Sequence, residues 1–253
     1  MLKIVSSPAK LMTVEHQSKD LKPTTPQFIK EAELIQSHLK QKSPEFLSEL
    51  MNISTKLADE NWERNQNWNA HPSKDESAPA LFAFTGEVYR GLDALSLDAK
   101  AIDYLQRHFR MLSGLYGLLK PSDQVMLYRL EMGRPFKFED YKNLYSFWKD
   151  RIVNALNEDC NEDDILLNLA SNEYFKAVDQ KQLKAKVINF KFYELKDGKL
   201  KTIVVYTKHA RGLLIRYCAE QQVKTLEDVK AFNYDGYLID EAQSDDNTLV
   251  FVR

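Results

Sequence analysis

Three short apolar runs, LKIVS at 2–6, ALFAF at 80–84 and ILLNLA at 165–170, each end at a polar turn, and amphipathic helical stretches fill the long intervals between them. Runs of this length read as buried strands. Strands interspersed with helices along the whole chain predict a mixed α/β (α+β) fold, a central mixed sheet flanked by helices. With 253 residues, 43% of them hydrophobic, and only 8 Gly and 8 Pro, there is material for one well-filled core, and no repeat or long linker divides it. A single domain over 1–253 is the expectation.

Helix starts are marked by side chains that accept from free backbone N–H groups. Thr25 as cap and Pro26 open TTPQFIKEAELIQSHLKQK, with Phe28, Ile29, Ala32, Leu34, Ile35 and Leu39 at helical spacing. Ser43 with Pro44, then Ser54, start two more helices, and Ser96 caps LDAKAIDYLQRHF. A further helix from Leu144 to about Asn157 is built on Phe147, Trp148, Ile152, Val153 and Leu156. VINFKFYELKDGKLKTIVVY reads as two strands turning at Asp197-Gly198. Thr207 then caps KHARGLLIRYCAEQ, and YLID with TLVFV closes the chain as a hairpin.

A net charge of −2 argues against a strongly basic nucleic-acid binder, yet the charges are unevenly placed. Residues 100–137 carry seven Lys/Arg against three Asp/Glu, and residues 171–216 carry eleven against four, in an otherwise acidic chain. Brought together, the two blocks form one positive surface whose field decides which partners approach; kept apart, they are solvated lysine faces. Cys160 and Cys218 stand in unlike surroundings, which fits a reduced cytoplasmic setting without disulfides. The apolar stretch in MLKIVSSPAK is too short for a signal-peptide core, and no window approaches eighteen apolar residues. A soluble cytoplasmic protein with no membrane contact is expected. GxGxxG, HExxH, GxSxG and GxxxxGK before Ser or Thr are all missing, and the histidines at 16, 38, 71, 108 and 209 lack ligand spacing. No cofactor and no metal are expected.

Polar chemistry concentrates where the apolar strands stop. SSPAK, LASNEYFK and YTKHARG each place Ser, Asn or Thr before Lys or Arg at such an end, the position where open α/β sheets hold ligands. With Thr207 as cap, Lys208 and Arg211 fall in the first helical turn, where the macrodipole disfavours cations by a few tenths to about 1 kcal/mol. An anion reverses that penalty, so these two cations and the free helix N–H groups describe a phosphate site. FRMLSGLYGLLKPSD suggests the same guest: Gly114 and Gly117 permit left-handed turns that aim successive N–H groups at an anion, and Arg110 and Lys120 flank them. A helix, a paired-glycine turn and a second helical segment also describe the helix-hairpin-helix element, which grips nucleic-acid backbone without reading bases. A plain helix C-cap followed by a turn fits the same letters.

SPAK at 7–10, RMLSGLYG at 110–117 with a following L-x-P, YRLEMG at 128–133, NLAS-x-EYFK at 168–176 and K-x-ARGL at 208–213 resemble, in order and approximate spacing, the YaaA family of bacterial peroxide-stress proteins. The likeness spans nearly the whole chain. It implies a single-domain mixed α/β fold of unusual topology, a positively charged cleft, a helix-hairpin-helix-like element, binding to double-stranded DNA, and a role in limiting free intracellular iron during hydrogen peroxide stress. By position the hairpin is Leu112 to Gly117, and the cleft takes Lys10, Arg110, Arg129, Lys208 and Arg211. The motifs and their flanks add Ser113, Gly114, Tyr116, Gly117, Lys120 and Lys176 as DNA contacts.

Two functions stay open. The first is a monomeric DNA-backbone binder with weak sequence preference, for which about five engaged phosphates give a log–log salt slope near −4 to −5. Tyr116 or Tyr128 stacking on an unpaired base would extend it to bulged, frayed or damaged duplex. The second is an enzyme acting on a phosphorylated or nucleotide-like small molecule, with Ser7, Lys10, Glu131, Asn172, Glu173 and Tyr174 supplying acid–base groups. Glu131 discriminates between them. A carboxylate facing a DNA groove repels phosphate, so its presence inside the cleft favours an ion-pair role beside Arg129 or a catalytic one. DNA binding is the favoured reading, chiefly because of the resemblance.

Overall fold

LKIVS forms β1 (Leu2–Ser6), buried along its whole length in the computed structural model, which describes residues 1–17 and 20–253. After β1 come β2 (Leu11–Met12), three helices α1 (Ile29–Leu39), α2 (Pro44–Met51) and α3 (Thr55–Asn67), then β3 (Ser77–Pro79), α4 (Ala80–Ala83) and β4 (Phe84–Thr85). The middle of the chain holds α5 (Glu87–Leu92), α6 (Ala99–His108), β5 (Phe109–Ser113), β6 (Gly117–Leu119), β7 (Gln124–Met126) and α7 (Leu144–Asp159). The last third supplies β8 (Ile165–Leu169), α8 (Asn172–Phe175), β9 (Lys186–Lys196), β10 (Lys199–Lys201), α9 (Val204–Glu220), α10 (Leu226–Lys230), β11 (Leu238–Ile239) and β12 (Thr248–Val252).

The main sheet has eight strands in the order β11-β12-β9-β8-β1-β5-β6, with β10 paired to β9. From β12 through β9, β8 and β1 to β5 the strands run parallel, and β6, β10 and β11 are antiparallel additions. A strand in the middle of a parallel sheet is covered on both faces, which explains an apolar run with no alternation. Lys3 is the exception in β1, and its Nζ donates to the Arg107 carbonyl at 2.9 Å. From β1 the next strand of the sheet in sequence, β5, lies on one side, whereas β8 on the other side leads away to β9. Connections that leave in opposite directions open a crevice outside the carboxyl ends of β1 and β8, the place where such sheets hold ligands.

Several expected starts shift, each for a local reason. Ser43 and Ser54 cap α2 and α3 as expected, but Thr25 does not cap α1. The chain around Thr24 pairs with residues 122–124 instead, and the helix begins only after Phe28. Asp98, not Ser96, caps α6, because Ser96 turns back to Asp93 in a short 3-10 segment. ALFAF is a buried helical turn, α4, leading into Phe84 of β4, since an apolar run buried on all sides carries no period to separate helix from strand. Asp197-Gly198 does turn β9 into β10, but β10 stops at Lys201 and the chain enters α9 with Ile203 as its cap. Thr207 therefore lies inside the helix, one turn beyond its start.

Helix α9 packs on α5 at backbone distance. A Cβ on Gly212 would stand 1.8 Å from the Val88 carbonyl oxygen, and one on Gly91 would stand 2.2 Å from that of His209. The glycine of the ARGL motif is thus a packing requirement. Among the described residues no helix is long and apolar enough to cross a membrane.

Candidate functional site

The β1–β8 crevice is assembled from three of the sequence motifs. Beyond β1 the chain continues as Ser7, Pro8, Ala9 and Lys10; beyond β8 it continues as Ala170 and Ser171 into α8. These two ends are tied together, the Ser171 N–H donating to Ser7 Oγ at 2.9 Å and the two hydroxyl oxygens lying 3.3 Å apart. The YRLEMG loop closes against them, with the Gly133 N–H donating to Glu173 Oε1 at 3.0 Å. Tyr128 and Ser113 share a 2.6 Å hydroxyl hydrogen bond beneath it.

Glu131 is the centre of this arrangement. It is 3% exposed, and its Oε1 lies 3.1 Å from Arg129, 3.3 Å from Arg134 and 3.3 Å from Lys10. Burial works to raise its pKa, but Arg129, then Arg134 and Lys10, outweigh burial and hold it below the ordinary carboxyl value. Its Oε2 is buried with no protein partner. Three cations share one carboxylate, and Lys10, at 59% side-chain exposure, is the one most open to solvent. Tyr174 forms another wall, with its phenol pushed far above the ordinary range, first by burial and then by neighbouring phenols and carboxylates. The crevice encloses only about 10 Å³, space for roughly one water.

The glycine pair lies elsewhere in character. LSGLYG is not a helix-hairpin-helix but a β-hairpin between β5 and β6, because the residues on either side pair across the turn, Ser113 with Gly117 and Met111 with Leu119. The Leu115 and Tyr116 N–H groups, which the sequence suggests for a phosphate, both donate to Ser113 Oγ. Gly114 is pressed against Leu130, whose carbonyl oxygen would lie 2.2 Å from an added Cβ, and its own carbonyl accepts from Trp148 Nε1 at 2.9 Å. Gly117 has φ +68°, with the Trp148 ring 2.6 Å from where a Cβ would stand. Its left-handed turn serves core packing. Tyr116 and Tyr128 are 1% and 5% exposed, so neither ring offers a face to an unpaired base.

The cations expected to line one cleft divide into groups. Lys10 and Arg129 meet at Glu131. Arg110, 5% exposed, is a buried structural partner of Asp159 and donates to the Gln106 and Phe109 carbonyls. With Lys120 it borders a cavity of about 470 Å³ at the amino-terminal end of β5, where Asp123, Glu158 and Asp159 outnumber the two cations. That balance does not suit phosphate. Lys176 is exposed at the end of α8, with Nζ over the Tyr145 ring at 5.1 Å. Lys208 is exposed and sits in the second turn of α9, and Arg211, one turn further, lines a cavity beside the carboxyl end of β8. The helix-terminus phosphate site expected for this pair therefore does not form. Among the described residues no group of three His, Cys, Asp or Glu side chains converges as metal ligands.

Two contributors, Arg134 and Asn189, escape the sequence reading, and two more, Asn168 and Ser171, stand in its NLAS-x-EYFK motif without an assigned role. Arg134 is signalled only by standing three residues after Glu131, and Ser171 only by following an apolar run. Asn168 carries a clearer mark, being an amide inside the otherwise apolar β8, and Asn189 is one of several polar residues of β9. They stand in register on β8 and β9, with a 2.9 Å hydrogen bond between their side chains.

A family model described as peroxide stress protein YaaA matches residues 2–243. The chain is similar to a UPF0246 protein of Flavobacterium johnsoniae, 48% identical over 252 residues and covering all of both chains. It is 44% identical over 252 residues to a UPF0246 protein of Marinomonas, covering all of this chain and 97% of the relative. A UPF0246 protein of Neisseria meningitidis serogroup B is 43% identical over 251 residues, 98% of this chain and 97% of the relative.

Proposed function

Because the chain belongs to the YaaA family of peroxide stress proteins, we propose that it acts as a DNA-binding protein of the peroxide response, meeting backbone phosphates at the carboxyl ends of β1 and β8. The observation that carries this reading is the cation surplus at Glu131, where Lys10, Arg129 and Arg134 face a single carboxylate. A crevice with room for about one water cannot enclose a substrate, so a phosphate would be met at its rim, as the backbone of a polymer is. The role in limiting free intracellular iron that the resemblance implies would be exercised from this DNA-bound state.

Four cations enter the proposed contact, Lys10, Arg129, Arg134 and Lys208, and Glu131 offsets one of them. About three engaged phosphates give a log–log salt slope near −2.7, shallower than the −4 to −5 expected with Arg110 counted in. Titrating a short duplex at a series of salt concentrations tests this. A slope near zero, or an affinity unchanged by Lys10→Ala combined with Lys208→Ala, would exclude the reading. The enzyme alternative has one observation in its favour, the shared position of Glu131 and Tyr174 in the crevice. It requires the YRLEMG loop to move away before any substrate fits.

A further inference from the structure

Arg211 carries a charge that no group among the described residues answers, and its Nε is withdrawn from solvent as well. Its side chain is partly buried, its Nε is buried without a hydrogen-bond partner, and among the described residues its guanidinium makes no ion pair or hydrogen bond. Burial alone pulls its pKa below the ordinary arginine value, with no anion acting in the other direction. A cation drawn partly out of water without a counter-charge is unfavourable in the isolated chain, and a ligand anion would relieve it.

The surroundings identify that anion. Arg211 borders a cavity of about 430 Å³ beyond the carboxyl end of β8 and alongside the middle of β9, whose lining among the described residues holds a second cation, Lys191, and no Asp or Glu. Asn172, Asn189, Thr207 and Thr248 add amides and hydroxyls to the wall. Phe190 and Phe192 also border it but are 6% and 2% exposed, so they offer little ring surface. Two cations without a carboxylate suit a doubly charged group, and the flanking amides and hydroxyls suit a polyol. The volume lies within the range of small-ligand pockets.

We propose that this cavity is a binding site for a small phosphate monoester of nucleotide size, with the Arg211 guanidinium clamping the phosphate and the neighbouring asparagine and threonine side chains receiving the sugar. The site shares no lining residue with the Glu131 crevice, α8 giving Asn172 to the one and Tyr174 to the other, and it stands whether or not duplex DNA binds there. A mononucleotide and the 5′-phosphorylated end of a strand present the same dianion, so the assay must hold both.

The test is calorimetric titration of the full chain with inorganic phosphate, adenosine 5′-monophosphate, adenosine, and a short oligonucleotide with and without a 5′-phosphate. Binding of the monophosphate and not of adenosine is expected, weakened about 10- to 100-fold in Arg211→Met, the range for loss of charged hydrogen bonds. Arg211→Lys, which keeps the charge but not the fork, should fall between the two. Arg211→Met should also fold, with a ligand-free urea midpoint no lower than wild type, since it abandons no protein partner. Binding of the phosphorylated strand end but not of the mononucleotide would support the same phosphate contact and assign it to DNA termini. Failure of every phosphate-bearing probe to bind, binding that survives Arg211→Met, or binding that is lost in Lys10→Ala instead would each overturn the proposal.

Discussion

Replacing Glu131 by Gln removes one negative charge while keeping the side chain's shape and one acceptor oxygen. In the native chain that carboxylate answers Arg129, Arg134 and Lys10 at 3.1–3.3 Å from a site 3% exposed. The Lys10 pair is open to solvent and contributes at most about 1 kcal/mol. The arginine pairs are largely withdrawn from water, and removing one partner of a buried pair costs about 3–5 kcal/mol. A loss near 3 kcal/mol is expected at neutral pH, read as a lower urea midpoint at unchanged slope. The sign with pH follows from a folded pKa below the ordinary 4.5. The carboxylate's contribution is complete above that ordinary value and disappears as pH falls through the folded one, so wild type and variant converge in acid.

Duplex binding should move the other way. With the carboxylate neutral, one more uncompensated cation faces the phosphates, so affinity rises at low salt and the log–log slope steepens by about 0.9. Stability and binding changing in opposite directions is the signature of a carboxylate that restrains a phosphate-binding cluster. A variant as stable as wild type at neutral pH, or one that binds duplex more weakly at an unchanged slope, refutes the reasoning.

Gly212→Ala drives a methyl to 1.8 Å from the Val88 carbonyl oxygen, and overpacking of about 1–3 kcal/mol should exceed the gain of about 1 kcal/mol in helix propensity; a urea midpoint at or above wild type would contradict the close α5–α9 crossing. Arg110→Ala leaves the partly exposed Asp159 only Lys3, at 3.5 Å, and should lower stability by about 1–3 kcal/mol while leaving the salt slope of duplex binding unchanged, a slope reduced by about 0.9 being the contrary result. His108, whose Nδ1 lies 2.6 Å from the Leu2 carbonyl, has its pKa lowered below 6.5, first by burial, so the folded chain resists a proton that the unfolded chain accepts. Stability should therefore decline as pH falls below about 6.5, and His108→Gln, measured by thermal unfolding across that range, should flatten the decline.

The parts of the fold that were legible are those with an unambiguous local signal. Ser43 and Ser54 cap helices because each stands before a helical run with its hydroxyl free to accept, and Asp197-Gly198 turns a hairpin because both residues adopt positive φ. ALFAF and IVVY misled because apolar or β-branched composition reports burial or local preference, not which partner receives the backbone hydrogen bonds. The site was legible by motif and not by geometry. SPAK, YRLEMG and NLASNEYFK do meet, and Glu131 does stand among them. Nothing in the letters RMLSGLYG tells a solvent-facing glycine turn from one sealed by Trp148, since both demand the same two residues; only the ring 34 residues later in the chain decides.

A basic segment is therefore a poor guide to a binding face until each cation's partner is known. Arg110 and Lys120 belong to the same block as Arg129 and Arg134, yet acidic neighbours outnumber the first two at their cavity, while three cations share one carboxylate at the other end of the sheet. Removing a charge that is already answered changes stability, and removing a surplus charge changes binding. On that criterion the proposed phosphate contacts are Lys10, Arg129, Arg134 and Lys208 at the crevice rim and Arg211 at its own cavity. The glycine hairpin through which the resemblance first suggested a DNA grip is instead sealed against Leu130 and Trp148.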